Sequence, residues 1–219
     1  MDEAFARKKL VEACRALNAK GVNQGAAGNI SVRCGADMLI TPSGVDYDEL
    51  APEMILRQSL DAEAAARDPV AGVKASSEWR FHRDIFRARP EVNAVVHTHA
   101  PYATVMSMLR RPIPASHYMV AAFGGDSIPC ADYAPFGTQE LSDLAVEGLK
   151  GRLGVLLGSH GMIAIGPDLQ RALWLAGELE TLAKLHYLAS LAGGPALLDS
   201  GHVAGLVEKF AGYGPGAKE

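Results

Sequence analysis

The sequence predicts an α/β chain, a single α/β/α layered domain spanning residues 1–219. Three observations point there. Segments of helical apolar spacing are interleaved with short apolar or alternating segments of strand character. No internal repeat or low-complexity linker divides the chain. No Gly-x-Gly-x-x-Gly or Gly-x4-Gly-Lys fingerprint occurs, so nothing supports a dinucleotide-binding or P-loop fold.

The elements follow in order. Residues 3–20 set Phe5, Leu10, Val11, Cys14 and Leu17 at helical spacing, with Gly21 as the stop. Gly25-Ala26-Ala27-Gly28 is a glycine-rich turn running into the alternating strand Asn29-Ile30-Ser31-Val32-Arg33. A second strand, Met38-Leu39-Ile40-Thr41, empties into the turn residues Pro42-Ser43-Gly44. Residues 45–70 read as loop with a short strand and a turn. Ser76-Ser77-Glu78-Trp79 opens the next helix: either serine can cap it, Glu78 falls in its first turn, and Phe81, Ile85 and Phe86 follow. Arg89-Pro90 ends that helix, and the β-branched run 92–97 (Val-Asn-Ala-Val-Val-His) reads as a buried strand. A helix at about 101–110 comes next, then a stretch rich in Gly, Pro and aromatics at 113–137. Residues 138–150 form a helix with Thr138 as its cap. Residues 155–165 form two strands joined by the Gly158-Ser159-His160-Gly161 turn. The longest helix, about 168–192, stops at Gly193-Gly194-Pro195, and a short helix near 200–211 precedes Tyr213.

A formal net charge of −4 with no basic run argues against nucleic acid as a partner. An anionic small substrate therefore needs a local positive site, such as a metal or a set of backbone N–H groups. No apolar run reaches the length of about eighteen residues that a membrane span needs. The acidic, then amphipathic, start Met1-Asp2-Glu3-Ala4-Phe5 is unlike a secretory signal. Cys14, Cys34 and Cys130 are odd in number and widely spaced, which suggests reduced, packed thiols and a cytoplasmic protein.

The candidate chemistry centres on His97-Thr98-His99. In an extended chain both imidazoles point to one face, where they can share a metal ion or simply close a strand at the surface. His160, set in a turn between glycines, is either exposed or the third member of a group that leaves a fourth position open on zinc. Glu78 is either a capping-box residue or a carboxylate that moves a proton beside the metal. Gly28-Asn29, Ser43-Gly44 and Ser76-Ser77 are each a routine turn or cap, and together three possible phosphate cradles. His82, His117, His186 and His202 lie in helical or loop contexts, and ordinary packing or exposure suits most of them.

Several runs carry a resemblance: Gly28–Arg33, Leu39–Gly44, Ser76–His82 and Ala94–His99, then Ile113–Met119, Ser127–Ala131, Tyr133–Thr138, His160-Gly161 and Lys209–Gly214. They occur in order along nearly the whole chain, and the sequence resembles the class II aldolase/adducin family. The resemblance implies a central, mainly antiparallel sheet. It also implies a zinc-dependent lyase that cleaves a ketose 1-phosphate to dihydroxyacetone phosphate and an aldehyde. His97, His99 and His160 would bind Zn2+, with Glu78 as a fourth ligand that leaves when substrate arrives. Asn29, Ser43, Gly44, Ser76 and Ser77 would hold the substrate phosphate. Tyr118 and Tyr213 would exchange the hydroxyl proton on the aldehyde side, with Phe136 nearby and Tyr213 reaching in from a neighbouring subunit of a homotetramer. Two departures stand out: Ser159, where relatives often carry Asn or His, and the stretch 55–74. The family also holds pentulose-phosphate 4-epimerases, which typically place Asp where Glu78 stands. It holds aldolases for 5-deoxyribulose or 5-methylthioribulose 1-phosphate, sugar-acid phosphate decarboxylases, and adducin-like scaffolds that tend to lose the histidines.

Overall fold

The computed structural model describes residues 2–69, 71–210 and 213. Asp2 accepts the Phe5 N–H and starts helix α1 (Glu3–Ala19), whose Leu10, Cys14 and Leu17 are buried at the expected spacing. Strands β1 (Asn29–Cys34), β2 (Asp37–Ile40) and β3 (Leu56–Ser59) form a meander, and β4 (Arg67–Asp68) and β5 (Val73–Lys74) pair as a small ribbon. Helix α2 (Trp79–Ala88), strand β6 (Ala94–Thr98) and helix α3 (Pro101–Met108) follow. The Gly/Pro-rich stretch resolves into β7 (Ile113–Pro114), a 3-10 helix (Tyr118–Phe123), β8 (Ser127–Ile128) and β9 (Cys130–Ala131). Helix α4 (Gln139–Gly148), the hairpin β10 (Gly154–Leu157) and β11 (Gly161–Gly166), and helices α5 (Leu169–Leu191) and α6 (Ser200–Phe210) complete the described elements.

Seven strands form one sheet in the order β3-β2-β1-β6-β11-β10-β9, antiparallel at every step except β10–β9. The predicted α/β/α layering and mainly antiparallel sheet are present. The period-2 alternation of β-strands divides the side chains between two cores. Ala94, Val96, Met162, Ala164 and Leu156 pack with α1, α3, α5 and α6. Val95, Ile163, Ile165, Val155 and Leu157 pack with α2 and α4 through Trp79, Phe81, Ile85 and Leu141. By that parity His97 sides with Val95, and the Phe81 ring of α2 meets it edge-on at 5.4 Å between centroids.

Some local expectations shift. Neither serine caps α2 by its side chain. Glu78 itself occupies the cap position with φ −100° and ψ 16°, and Ser76 Oγ accepts the Glu78 N–H at 3.2 Å. Ser76 thus shapes a turn that presents Glu78, rather than an extended cap. The histidine strand begins at Ala94, not at residue 92, because Arg89-Pro90-Glu91-Val92 closes a turn from Val92 N–H to Arg89 O. Thr138 caps α4 as expected, accepting the Leu141 N–H. No described helix is long and apolar enough to cross a membrane.

Candidate active site and metal centre

The central pair β6–β11 fixes the histidines. His97, fully buried on β6, lies opposite Ile163 of β11 and Asn29 of β1. Its Nδ1–H donates to the Met162 carbonyl at 2.9 Å, which leaves Nε2 as the free lone pair. His99 follows at the mouth of the strand, with Nε2 3.2 Å from His97 Nε2. His160 comes from the β10–β11 turn, where the preceding Ser159 has φ 56° and gives its N–H to Ser107 O. That left-handed geometry is one that Asn tolerates better than Ser. The three rings converge at centroid separations of 4.8–5.0 Å, each nearly perpendicular to the next.

Glu78 closes the group. Its Oε2 lies 3.2 Å from His97 Nε2 and its Oε1 3.3 Å from His160 Nε2. Tetrahedral ligands at about 2.0–2.1 Å from one ion stand roughly 3.3–3.4 Å apart, so these separations fit a shared cation. Oε1 is buried and has no hydrogen-bond donor among the described residues, a costly arrangement that a cation relieves. His97, His99 and His160 together could hold a metal ion. Burial, and then His97, push His99 down to about 4. The same causes push His160 to about 4 against the pull of Glu78, so both rings are neutral and ready to ligate near neutrality. Burial pushes the Glu78 carboxyl up, but His97 and His160 where they carry a proton, and the Asn29 amide, hold it well below the usual carboxylate range.

The three polar turns meet beside this group. Asn29 Nδ2 donates to Glu78 Oε2 at 3.0 Å. The Pro42–Gly44 turn is zipped to 74–76 by a bridge between Pro42 and Ala75 and by the bonds Ser43 N–H to Lys74 O and Ser76 N–H to Thr41 O. Gly44 has φ 72°, a conformation that favours glycine. A cleft of about 360 Å³ opens over the centre, lined by Ser77, Glu78, His99, His160, Tyr133 and Phe136 among others. Tyr118 and Tyr213 do not line it. Both are exposed and cluster instead around Phe210, with centroids 6.2 Å (Tyr118) and 5.3 Å (Tyr213) from its ring. Ala211, Gly212 and Gly214 of the matching tail lie outside the described residues.

Three residues escaped the sequence reading. Tyr133 lines the cleft. Glu180 of α5 accepts the Tyr102 and Ala103 N–H groups at 2.9 and 2.8 Å, capping α3 immediately after His99. Its separation from α3 in sequence left no local signal. His82, read as ordinary, hydrogen-bonds Asn29 Oδ1. Its spacing of one helical turn from Glu78 was the available clue.

A three-histidine, one-carboxylate group, buried at His97 and Glu78 and half-buried at His99 and His160, at the mouth of a polar cleft is the layout of a metal-dependent enzyme. Residues 8–187 match the family model of the Class II Aldolase and Adducin N-terminal domain, and the chain belongs to that family. It is 47% identical over 210 residues to the L-fuculose phosphate aldolase of Escherichia coli (strain K12), covering 94% of each chain. It is also 47% identical over 212 residues to the 5-methylthioribulose-1-phosphate/5-deoxyribulose-1-phosphate aldolase of Rhodospirillum rubrum, covering 97% of this chain and 94% of that one. A solved L-fuculose 1-phosphate aldolase superposes with a TM-score of 0.88 at 34% identity, over 93% of this chain and 95% of the other. The chain is a class II aldolase, a metal-dependent lyase.

Proposed function

We propose that this chain is a zinc-dependent aldolase that reversibly cleaves a ketose 1-phosphate of the L-fuculose 1-phosphate type to dihydroxyacetone phosphate and an aldehyde such as lactaldehyde. The observation that carries it is a run of three contacts at 3.2–3.3 Å: His99 Nε2 to His97 Nε2, His97 Nε2 to Glu78 Oε2, and His160 Nε2 to Glu78 Oε1. Three imidazoles and a carboxylate are a donor set that favours zinc among the divalent metals. The relatives at 47% identity include aldolases named for each of two substrate types, so the 5-deoxyribulose or 5-methylthioribulose 1-phosphates are the second reading.

A divalent cation at this centre supplies Lewis-acid stabilisation of the negative charge that develops on the donor fragment as the C3–C4 bond breaks. The protein's own groups do the rest. Asn29, Ser43, Gly44, Ser76 and Ser77 bind the phosphate through an amide, hydroxyls and N–H groups gathered at two zipped turns. Ser43 spends its N–H on Lys74 O and so offers its hydroxyl. Glu78 yields its place to substrate and carries the proton that the donor carbon gains in cleavage and loses in synthesis. Tyr118 or Tyr213 takes the C4 hydroxyl proton as the aldehyde leaves, and Phe136 flanks the aldehyde. Tyr118, Phe210 and Tyr213 form one exposed aromatic group, so they serve the cleft of a neighbouring subunit together, in a homotetramer with sites between subunits. Residues 1–219 act as one domain. The unpaired Cys14, Cys34 and Cys130 support a cytoplasmic location.

The test is release of dihydroxyacetone phosphate by purified, zinc-loaded protein, with and without chelator. The panel is L-fuculose, L-rhamnulose, 5-deoxyribulose and 5-methylthioribulose 1-phosphates, plus ribulose 5-phosphate. Chelator-sensitive release from a ketose 1-phosphate is expected, with the L-fuculose compound ranked first. Conversion of ribulose 5-phosphate without release would indicate an epimerase and contradict the proposal.

A further inference from the structure

Behind the metal centre, two elements cross with matched spacings. Asn29 and Ser31 lie two apart on β1 and so share a face, while Glu78 and His82 lie one helical turn apart at the start of α2. Where they cross, four side chains form one continuous chain of hydrogen bonds. Ser31 Oγ lies 2.6 Å from His82 Nδ1, and His82 Nε2 lies 2.5 Å from Asn29 Oδ1. Asn29 Nδ2 reaches Glu78 Oε2 at 3.0 Å. Ser31 and His82 are fully buried.

The chain has one direction. An ionised Glu78 only accepts, so the amide must face it with its NH2 group. Asn29 Oδ1 then faces His82 and accepts from Nε2–H. That fixes the tautomer, so Nδ1 is unprotonated and accepts from the Ser31 hydroxyl. A neutral ring is what this requires, and burial keeps it so, pushing His82 down to about 3. Rotating the amide by half a turn would set its oxygen against the carboxylate, a repulsion in a buried site, and would break the bond from His82 Nε2–H.

We propose that His82 is the positioning residue of this site: with Ser31 behind it, it holds the Asn29 amide in the facing that the Glu78 carboxylate sets. The amide thereby holds Glu78 among the histidines at rest and releases the same N–H donors to the substrate phosphate when Glu78 leaves. His82 touches neither metal nor substrate. Its effect passes through Asn29, which couples the position of Glu78 to occupancy of the phosphate cradle. This inference rests on the aldolase reading above.

The experiment compares wild type with His82→Phe, His82→Gln and Ser31→Ala, using cobalt(II) as the metal probe and a ketose 1-phosphate as substrate. Phe keeps the ring that stacks on Phe81 at 4.7 Å but removes both nitrogens, whereas Gln restores one donor and one acceptor. His82→Phe is expected to bind cobalt roughly 10–100-fold more weakly, with an altered visible spectrum. Its KM should rise about tenfold, more than kcat falls, because the phosphate donor is misdirected. His82→Gln should recover most of both losses. Should His82→Phe fail to fold, Ser31→Ala carries the test, with a smaller loss of cobalt affinity in the same direction. Wild-type cobalt affinity and KM in the foldable variants, or equal damage in Gln and Phe, would overturn the proposal. Failure of the wild type itself to bind cobalt would instead overturn the metal centre and the aldolase reading.

Discussion

Glu78 sits where two demands meet. Its carboxylate is buried at 5% exposure, lies within 3.3 Å of two imidazoles, and leaves one oxygen without a hydrogen-bond donor among the described residues. A group placed so for stability alone would be a poor choice, because an unsatisfied buried oxygen costs on the order of 1–3 kcal/mol. The roles proposed for Glu78, ligation at rest and proton transfer during turnover, would together explain the placement. Glu78→Gln keeps the volume and one ligating oxygen but removes the acid–base function. We expect it to retain most metal while hydrogen exchange at the donor carbon of dihydroxyacetone phosphate falls at least about 100-fold, measured by tritium or deuterium release. Exchange at the wild-type rate would remove Glu78 from the proton path.

At the scale of elements, much was legible because the relevant signals are local. The strand 94–98, the hairpin at 154–166 and helices α1, α4 and α5 carry periodicity that survives folding. The His-x-His pair on one strand face needs only the pleat to be read. The start of α2 was misread because Ser76 resembles a cap yet spends its hydroxyl on the Glu78 N–H, setting the helix start two residues later. Strand β9 was illegible because two residues, Cys130 and Ala131, carry no alternation, and only pairing with β10 makes them a strand. The convergence of His160 on β6 depends on how closely the hairpin approaches. A Cβ at Gly161 would lie 2.5 Å from Thr98 O and 3.0 Å from His99 Cδ2, so β11 reaches β6 only with glycine there. Gly161→Ala should therefore weaken metal binding by about tenfold or more, read by metal titration, while the far-ultraviolet circular dichroism stays that of the wild type. Unchanged affinity would mean that the hairpin is not held to this tolerance.

For the molecule as a whole, one sheet positions everything: β1 brings Asn29, β6 brings His97 and His99, and β11 begins just after His160. Helix α2 enters from one face with Glu78, and α5 braces the other through Glu180 at the start of α3. The ligand candidates and the candidate phosphate turns were legible in the sequence because each lies within one short segment. His82 and Glu180 were not, because their partners come together only when layers pack. The aromatic group Tyr118, Phe210 and Tyr213 stands apart from the cleft of its own chain, which supports the proposed site between subunits. The central claim is that His97, His99 and His160 hold the catalytic metal. The measurement that tests it most directly is an anomalous difference map from crystals of zinc-loaded protein, recorded on both sides of the zinc absorption edge. One peak per chain is expected, at about 2.0–2.1 Å from the three Nε2 atoms. A peak bound elsewhere, or none at full zinc loading, would contradict it.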